Sequence, residues 1–411
     1  MHEYTAVAFC TVGAEKALSN ELRKLSQEKQ VFTIIESCYG RVRFRTDING
    51  LYRALLSLRS ADRLLLEAGV FDASDFDSLF DGTASVLWEK YIPRGMGLKV
   101  SKVRSSASRL KAETSIQSIV HKAIAERLCR YYGVNRLPGG DTDKRGESGI
   151  KQAEVRVFIE KDKASILLDI SGDPLFKRGY RLAGGIAPLR ESTAAAILLL
   201  SGWRRKFPLY DPFCGSGTIV IEAALYAWDQ APGLGRCFTL SDLLIADKPI
   251  EDTIRKELTE KIDYSRPICI NGSDSDEKAI SLARTNLRRA IGLGKAHVPS
   301  VPKGAAFHCF SMKEASPSQL HINKDSPHIN QPGFIITNPP YGNRLGEINE
   351  AEKRYSEMSG LCKTFVDWHL ALICNHKGFE SHFGKKADSC RELKTGAVDA
   401  WLYHYEKLKN N

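Results

Sequence analysis

From about residue 191 onward the chain carries six short apolar runs, PLYD, PICINGSD, AAFHCF, GFIITN, LALICN and DAWLYHYE, alternating with segments of helical character. Strands that read as nearly continuous apolar runs are covered on both faces, and joining them in parallel requires crossover helices. The pattern therefore predicts an α/β domain over 191–411. Residues 313–332, polar and without a period, predict a surface loop.

The first 170 residues follow a different rule. TAVAFCT, FTIIES and RVRFRT read as strands, with a helix after the first whose Ala14, Leu18, Leu22 and Leu25 share one face. A helix near 48–59 and a strand near 63–71 follow. GLKVSKVRSSASRL then alternates like a strand before an amphipathic helix over 112–132, which turns Ile116, Ile119, Val120, Ala123, Ile124 and Leu128 inward. QAEVRVFIEK and KASILLDIS close this α+β region, and the Gly-, Pro- and base-rich 171–190 predicts a linker.

Charge narrows the partners. The net charge is +10, and residues 90–136 hold eleven Lys or Arg against Glu113 and Glu126, which points to a polyanion. Ten cysteines without a CxxC pair suggest reduced thiols rather than a zinc knuckle or disulfide framework. Glu3 stands where a signal peptide needs a basic residue, and AAAILLLSGW (194–203) is too short to span a bilayer. A cytoplasmic location without membrane attachment is expected, and the spacing of Cys374, His376 and His382 fits no familiar metal site.

Three motifs carry chemistry. DPFCGSGT (211–218) is a strand-to-helix turn whose Gly215 and Gly217 let backbone approach a ligand at a helix N-terminus. It lacks the lysine of a Walker loop and the spacing of a dinucleotide fingerprint. In NGSDSD (271–276), Asp274 ends a strand where it can accept both hydroxyls of a ribose, while Asp276 suits a helix cap. TNPPY (337–341) places an amide, two prolines and a ring at a strand end. Asn338 Oδ1 and the Pro339 carbonyl can hold a conjugated exocyclic amine, with Tyr341 stacked on its base.

Together with FKRGYRLAGGIAPLRESTAAAILLLSGW and HFGKKADSCRELKTG, these motifs resemble the THUMP-containing class I S-adenosylmethionine-dependent RNA guanine-N2 methyltransferases. The resemblance is strongest to the bacterial enzymes of large-subunit ribosomal RNA, and it covers nearly the whole chain. It implies a Rossmann-like methyltransferase sheet over 191–411, preceded by a ferredoxin-like module over 1–60, a THUMP domain over 61–170 and the linker 171–190. Asp211, Pro212, Cys214, Gly215, Ser216, Gly217 and Thr218 would then surround the methionine part of S-adenosylmethionine. Asp274 would take the ribose and Ser275 would lie beside the adenine. Asn338, Pro339, Pro340 and Tyr341 would receive the target amine, and Pro188 to Glu191 would lie near them, with Arg190 toward the cofactor carboxylate.

One position departs from the family pattern. Ser311 stands near where relatives carry an Asp that bonds the adenine amine, and a hydroxyl accepts less strongly than a carboxylate. The implied partner is RNA, 23S rRNA or a large-subunit precursor, contacted by Arg104, Arg109 and Lys111, with Lys385 and Lys386 near the active site. The NPPY motif is shared with DNA adenine N6-methyltransferases, so it does not name the base by itself. A tRNA guanine-N2 methyltransferase, a DNA adenine N6-methyltransferase, a protein glutamine methyltransferase and a non-catalytic ribosome-assembly factor are the other readings.

Overall fold

The computed structural model describes residues 2–29, 31–139, 149–181, 189–295, 298, 300–320, 333–341, 345–395 and 398–409. Its N-terminal half runs β1 (Tyr4–Cys10), α1 (Glu15–Lys29), β2 (Thr33–Cys38), β3 (Arg41–Thr46), α2 (Ile48–Ser57), β4 (Ala61–Asp72), α3 (Phe76–Ser85), β5 (Gly97–Ser106), α4 (Glu113–Tyr132), β6 (Gln152–Glu160) and β7 (Lys163–Asp169). The strands form one seven-stranded sheet in the order β2-β3-β1-β4-β7-β6-β5. The two expected N-terminal segments share this sheet, because β4 pairs with β1 on one side and β7 on the other.

Strand alternation sorts this sheet's two faces. Ala6, Ala8, Val42, Phe44, Leu64, Leu66, Val155, Val157, Ile166 and Leu168 are buried in one core with Leu18, Leu22, Leu51, Leu55, Ile116, Val120 and Ile124 of the helices. The other face has a small patch of Val7, Leu65 and Leu167, crossed by ion pairs such as Arg43 with Glu67 and Arg63 with Asp169. Helix α3 begins within an acidic stretch, 72–81, to which the sequence reading assigned no element. Asp75 starts it, accepting from the Ser78 N–H at 2.8 Å.

The C-terminal half runs α5 (Glu191–Leu200), β8 (Leu209–Asp211), α6 (Thr218–Ala227), α7 (Lys248–Glu260), β9 (Ile270–Asp274), α8 (Glu277–Gly294), β10 (Ala305–Cys309), β11 (Phe334–Thr337), α9 (Leu345–Met358), α10 (Leu361–Thr364), β12 (His369–Cys374), α11 (Phe379–Phe383), β13 (Ser389–Thr395) and β14 (Val398–Tyr405). The sheet order is β10-β9-β8-β11-β12-β14-β13, parallel through β12 and antiparallel at β14 and β13. Strand order reverses between β8 and β11, and a ligand in such a sheet sits at the carboxyl ends of the strands flanking that reversal. Strand β13, absent from the sequence reading, alternates polar residues because it is an edge. Of the expected loop 313–332, residues 321–332 lie outside the described residues.

The two halves are joined through buried polar groups. Arg59, 7% exposed, donates to the carbonyls of Gln230 at 2.6 Å and Leu225 at 3.4 Å. Thr11 and Thr193 share a hydroxyl hydrogen bond of 2.9 Å, and Ser192 donates to Asp62. Arg178 of the linker donates to the carbonyls of Arg59 and Leu175 and faces the buried Glu222 at 3.7 Å. No described helix is long and apolar enough to cross a membrane.

Candidate active site

At the strand-order reversal lies a cleft of about 1430 Å³, larger than the roughly 300–1,000 Å³ of a pocket for one small ligand. Its floor is the turn between β8 and α6. Gly217 caps α6 at φ +87°, and a Cβ there would lie 2.7 Å from the Phe307 ring, so close packing against β10 requires glycine. Gly215, at φ +50°, differs: a Cβ would meet nothing within 4 Å, leaving its backbone open to a ligand.

Two carboxylates flank this turn. Asp274, at the end of β9, accepts from the Gly215 N–H at 3.0 Å through one oxygen and from the Asp276 N–H at 3.0 Å through the other. Asp276 caps α8 by accepting from Lys278 at 2.8 Å. Asp211 is 2% exposed and accepts from the Thr337 hydroxyl at 2.6 Å and the Phe213 N–H at 3.1 Å. Burial pushes its pKa up to about 7, with Asp274 adding a like charge and the two hydrogen bonds opposing.

Asp211, Pro212, Cys214, Gly215, Ser216, Thr218, Asp274, Ser275, Ser311, Asn338 and Pro340 all line the cleft. Gly217, packed against Phe307, and the buried Pro339 do not line it. The Ser311 hydroxyl accepts from the Lys313 N–H at 3.4 Å at the start of a short 3-10 turn. Arg190 also lines the cleft, 3.4 Å from Asp62 and 4.9 Å from the Phe176 ring centre. Pro188 lies outside the described residues.

Tyr341 departs from the expected free ring. It is absent from the cleft lining, packs against the core that contains Tyr355 and Cys374, and donates its hydroxyl to Asn338 Oδ1. The Pro340 carbonyl accepts from the Tyr355 hydroxyl at 2.9 Å. The Tyr341 bond is local to the turn, whereas the Tyr355 bond comes from packing against α9, which no spacing in the motif encodes.

Sequence reasoning missed Phe176 and Arg181, which join the expected Glu191 in a wall of the cleft. Arg181 donates to the Thr218 hydroxyl at 2.8 Å and the Leu189 carbonyl at 3.0 Å and pairs with Glu191 at 3.4 Å. Burial raises the Glu191 carboxyl pKa, and Arg181 opposes that rise. The basic run FKRGYR was the available signal.

The expected RNA contacts lie elsewhere. Arg104 sits on edge strand β5, and Arg109 and Lys111 in the segment after it; all three are exposed, with Arg109 3.6 Å from Asp162. Lys385 donates to the Lys407 carbonyl at 3.1 Å, and neither it nor Lys386 lines the cleft.

Glu352, His376 and His382 bring ligand-type atoms within 4.8 Å of one another. The Gly378 N–H points to His376 Nδ1 at 3.2 Å, which places the proton of the neutral ring on Nε2. That nitrogen faces Glu352 at 3.2 Å and His382 faces it at 3.3 Å. The arrangement suits a carboxylate bridging two imidazoles, because a metal-bound Nε2 would carry the His376 proton on Nδ1, against the Gly378 N–H.

Known proteins share this architecture. The model of the RMKL-like methyltransferase domain matches residues 178–302 and 310–404, and that of the RlmL ferredoxin-like domain matches 5–65. The chain is 34% identical over 405 residues to Bacillus subtilis YpsC, named "Putative RNA methyltransferase", covering 98% of this chain and 96% of that one. It is 31% identical over 404 residues to the ribosomal RNA large subunit methyltransferase K/L of Syntrophotalea carbinolica, covering 96% of this chain and 52% of that one. The chain thus spans about half the length of the K/L relative. Among solved structures, SMU.472, named "a putative methyltransferase complexed with SAH", superposes at a TM-score of 0.82, with 31% identity and 100% of both chains covered.

Proposed function

Because the chain belongs to the RMKL-like methyltransferase-domain family and carries an RlmL-type ferredoxin-like domain at its N-terminal end, we propose that it methylates the exocyclic N2 amine of a guanosine in RNA, in 23S rRNA or a large-subunit precursor. S-adenosylmethionine is the methyl donor. The cleft suits it: open space over Gly215, a carboxylate at the end of β9 and a helix N-terminus stand together. When bound, it supplies a methyl group on a sulfonium, already activated for displacement.

The protein's own contribution is alignment. Asn338 Oδ1 and the Pro339 carbonyl accept hydrogen bonds from the amine, turning its lone pair toward the methyl group. On transfer the amine would take the methyl group from the sulfonium, leaving a neutral thioether, and would release one proton to solvent water. Asp211 and Asp274 favour the cationic donor electrostatically. A base held this way leaves its helical stack, so the target is a single-stranded or extruded nucleotide.

The observation that carries this reading is the presence of Asn338 in the same cleft as Gly215 and Asp274. Nucleoside mass spectrometry on ribosomal and transfer RNA, from cells with and without the gene, tests it. Loss of N2-methylguanosine from large-subunit rRNA is expected. Loss from tRNA alone would move the substrate, and unchanged RNA would refute an RNA-directed activity.

A further inference from the structure

We propose that Tyr355 is a positioning residue for methyl transfer, holding the 338–341 turn through its hydrogen bond to the Pro340 carbonyl. The inference rests on the reading of Asn338 and Pro339 as acceptors of the target amine. Pro339 and Pro340 have no N–H, so the middle of this turn offers no backbone donor to fix it. It is held through its acceptors instead. Tyr341 donates to the Asn338 side chain, and Tyr355, from helix α9, donates to the Pro340 carbonyl at 2.9 Å.

Tyr355 is itself firmly placed. It is fully buried, and its ring meets Phe379 edge-on at 5.3 Å and lies 5.7 Å from His376. The Cys374 thiol at the end of β12 donates to its hydroxyl at 3.5 Å. One helical turn earlier, Glu352 reaches His376 and His382, tying α9 to the segment after β12 and to α11. Burial raises the pKa of the phenol, which keeps it a donor. A rigid support outside the cleft thus sets the direction of acceptors inside it.

The test compares full-length wild type with Tyr355→Phe, Asn338→Ala and Leu408→Ala, using unmethylated large-subunit rRNA and radiolabelled S-adenosylmethionine. Tyr355→Phe deletes one oxygen and keeps the ring. Its kcat should fall about ten- to a hundredfold, the cost of a misplaced reacting group, while the KM for RNA and the Kd for cofactor stay within about twofold. Leu408→Ala loosens the same core but keeps the Tyr355 hydroxyl and its ring partners, so its kcat should stay near wild type even if its Tm falls as far.

Equal losses of kcat in these two variants at equal loss of Tm would overturn the proposal, as would wild-type turnover by Tyr355→Phe beside an inactive Asn338→Ala. Wild-type turnover by Asn338→Ala would refute the reading of the catalytic motif itself, and the positioning role with it.

Discussion

The hydroxyl of Tyr341 donates to Asn338 Oδ1, three residues upstream in the turn after β11. This bond orients the amide and leaves a second lone pair of the oxygen for a substrate amine. Asn338→Ala removes the acceptor and should lower kcat by on the order of 10²–10³, the effect of deleting one preorganised partner of a transition state. Tyr341→Phe keeps the ring and should cost less. Cofactor Kd, measured by calorimetry, should be unchanged in both.

Asp211 makes the cleft sensitive to pH. Its carboxyl rises from the usual 3.8 to about 7 through burial, so the cofactor-free fold favours the protonated form. The associated stability is fully present below 3.8 and is lost as pH rises through 7. The Tm of the cofactor-free protein should therefore fall from about pH 4 to pH 7 and level off above that, and Asp211→Asn, whose amide oxygen can still accept from Thr337 and Phe213, should flatten that fall. A cationic cofactor favours the ionised form, so its affinity should rise over the same interval with release of a proton, as calorimetry in buffers of different ionisation enthalpy would show.

Gly215 and Gly217 should separate binding from folding. Gly217→Ala drives a methyl group to 2.7 Å from Phe307 at a positive φ, and should cost about 2–4 kcal/mol from overpacking and backbone strain. Gly215→Ala meets open space and should cost only about 1–2 kcal/mol of backbone strain. It should nevertheless weaken cofactor binding more than it lowers Tm. Thermal melts with and without cofactor distinguish the two.

The exposed cations at the edge of the N-terminal sheet give a salt-dependent prediction. Reversing Arg104, Arg109 and Lys111 to Glu should weaken binding of large-subunit rRNA and flatten the dependence of log K on log salt by roughly one unit for each phosphate that the protein no longer neutralises. Cofactor affinity should not move. An unchanged salt slope in filter binding would remove these residues from the RNA interface.

Much of this architecture was readable beforehand where local chemistry decides it. The turn at Gly215 and Gly217, the strand end at Asp274 and the parallel strands around them follow from apolar runs and turn residues. What escaped depended on neighbours distant in sequence. Tyr341 turns inward because the core of Tyr355 and Cys374 receives its ring, and Tyr355 reaches Pro340 across 15 residues. Arg181 reads as part of a basic linker until Thr218 and Glu191 are beside it. Strand β13 was missed because an edge strand need not be apolar, and α3 because its capping aspartate lies in an acidic run.

The embedding of Arg59 in the carbonyls of Leu225 and Gln230 bears on target choice. Swinging the two halves apart would strand a buried guanidinium, a penalty of several kcal/mol. The span from the basic edge at β5 to the cleft beyond Asn338 is accordingly fixed, like the jaws of a caliper locked at one setting. On that basis an RNA would be chosen by how far its reactive base stands from the segment the protein grips, and lengthening a helix between those two points would spoil a target whose nucleotide sequence was otherwise untouched.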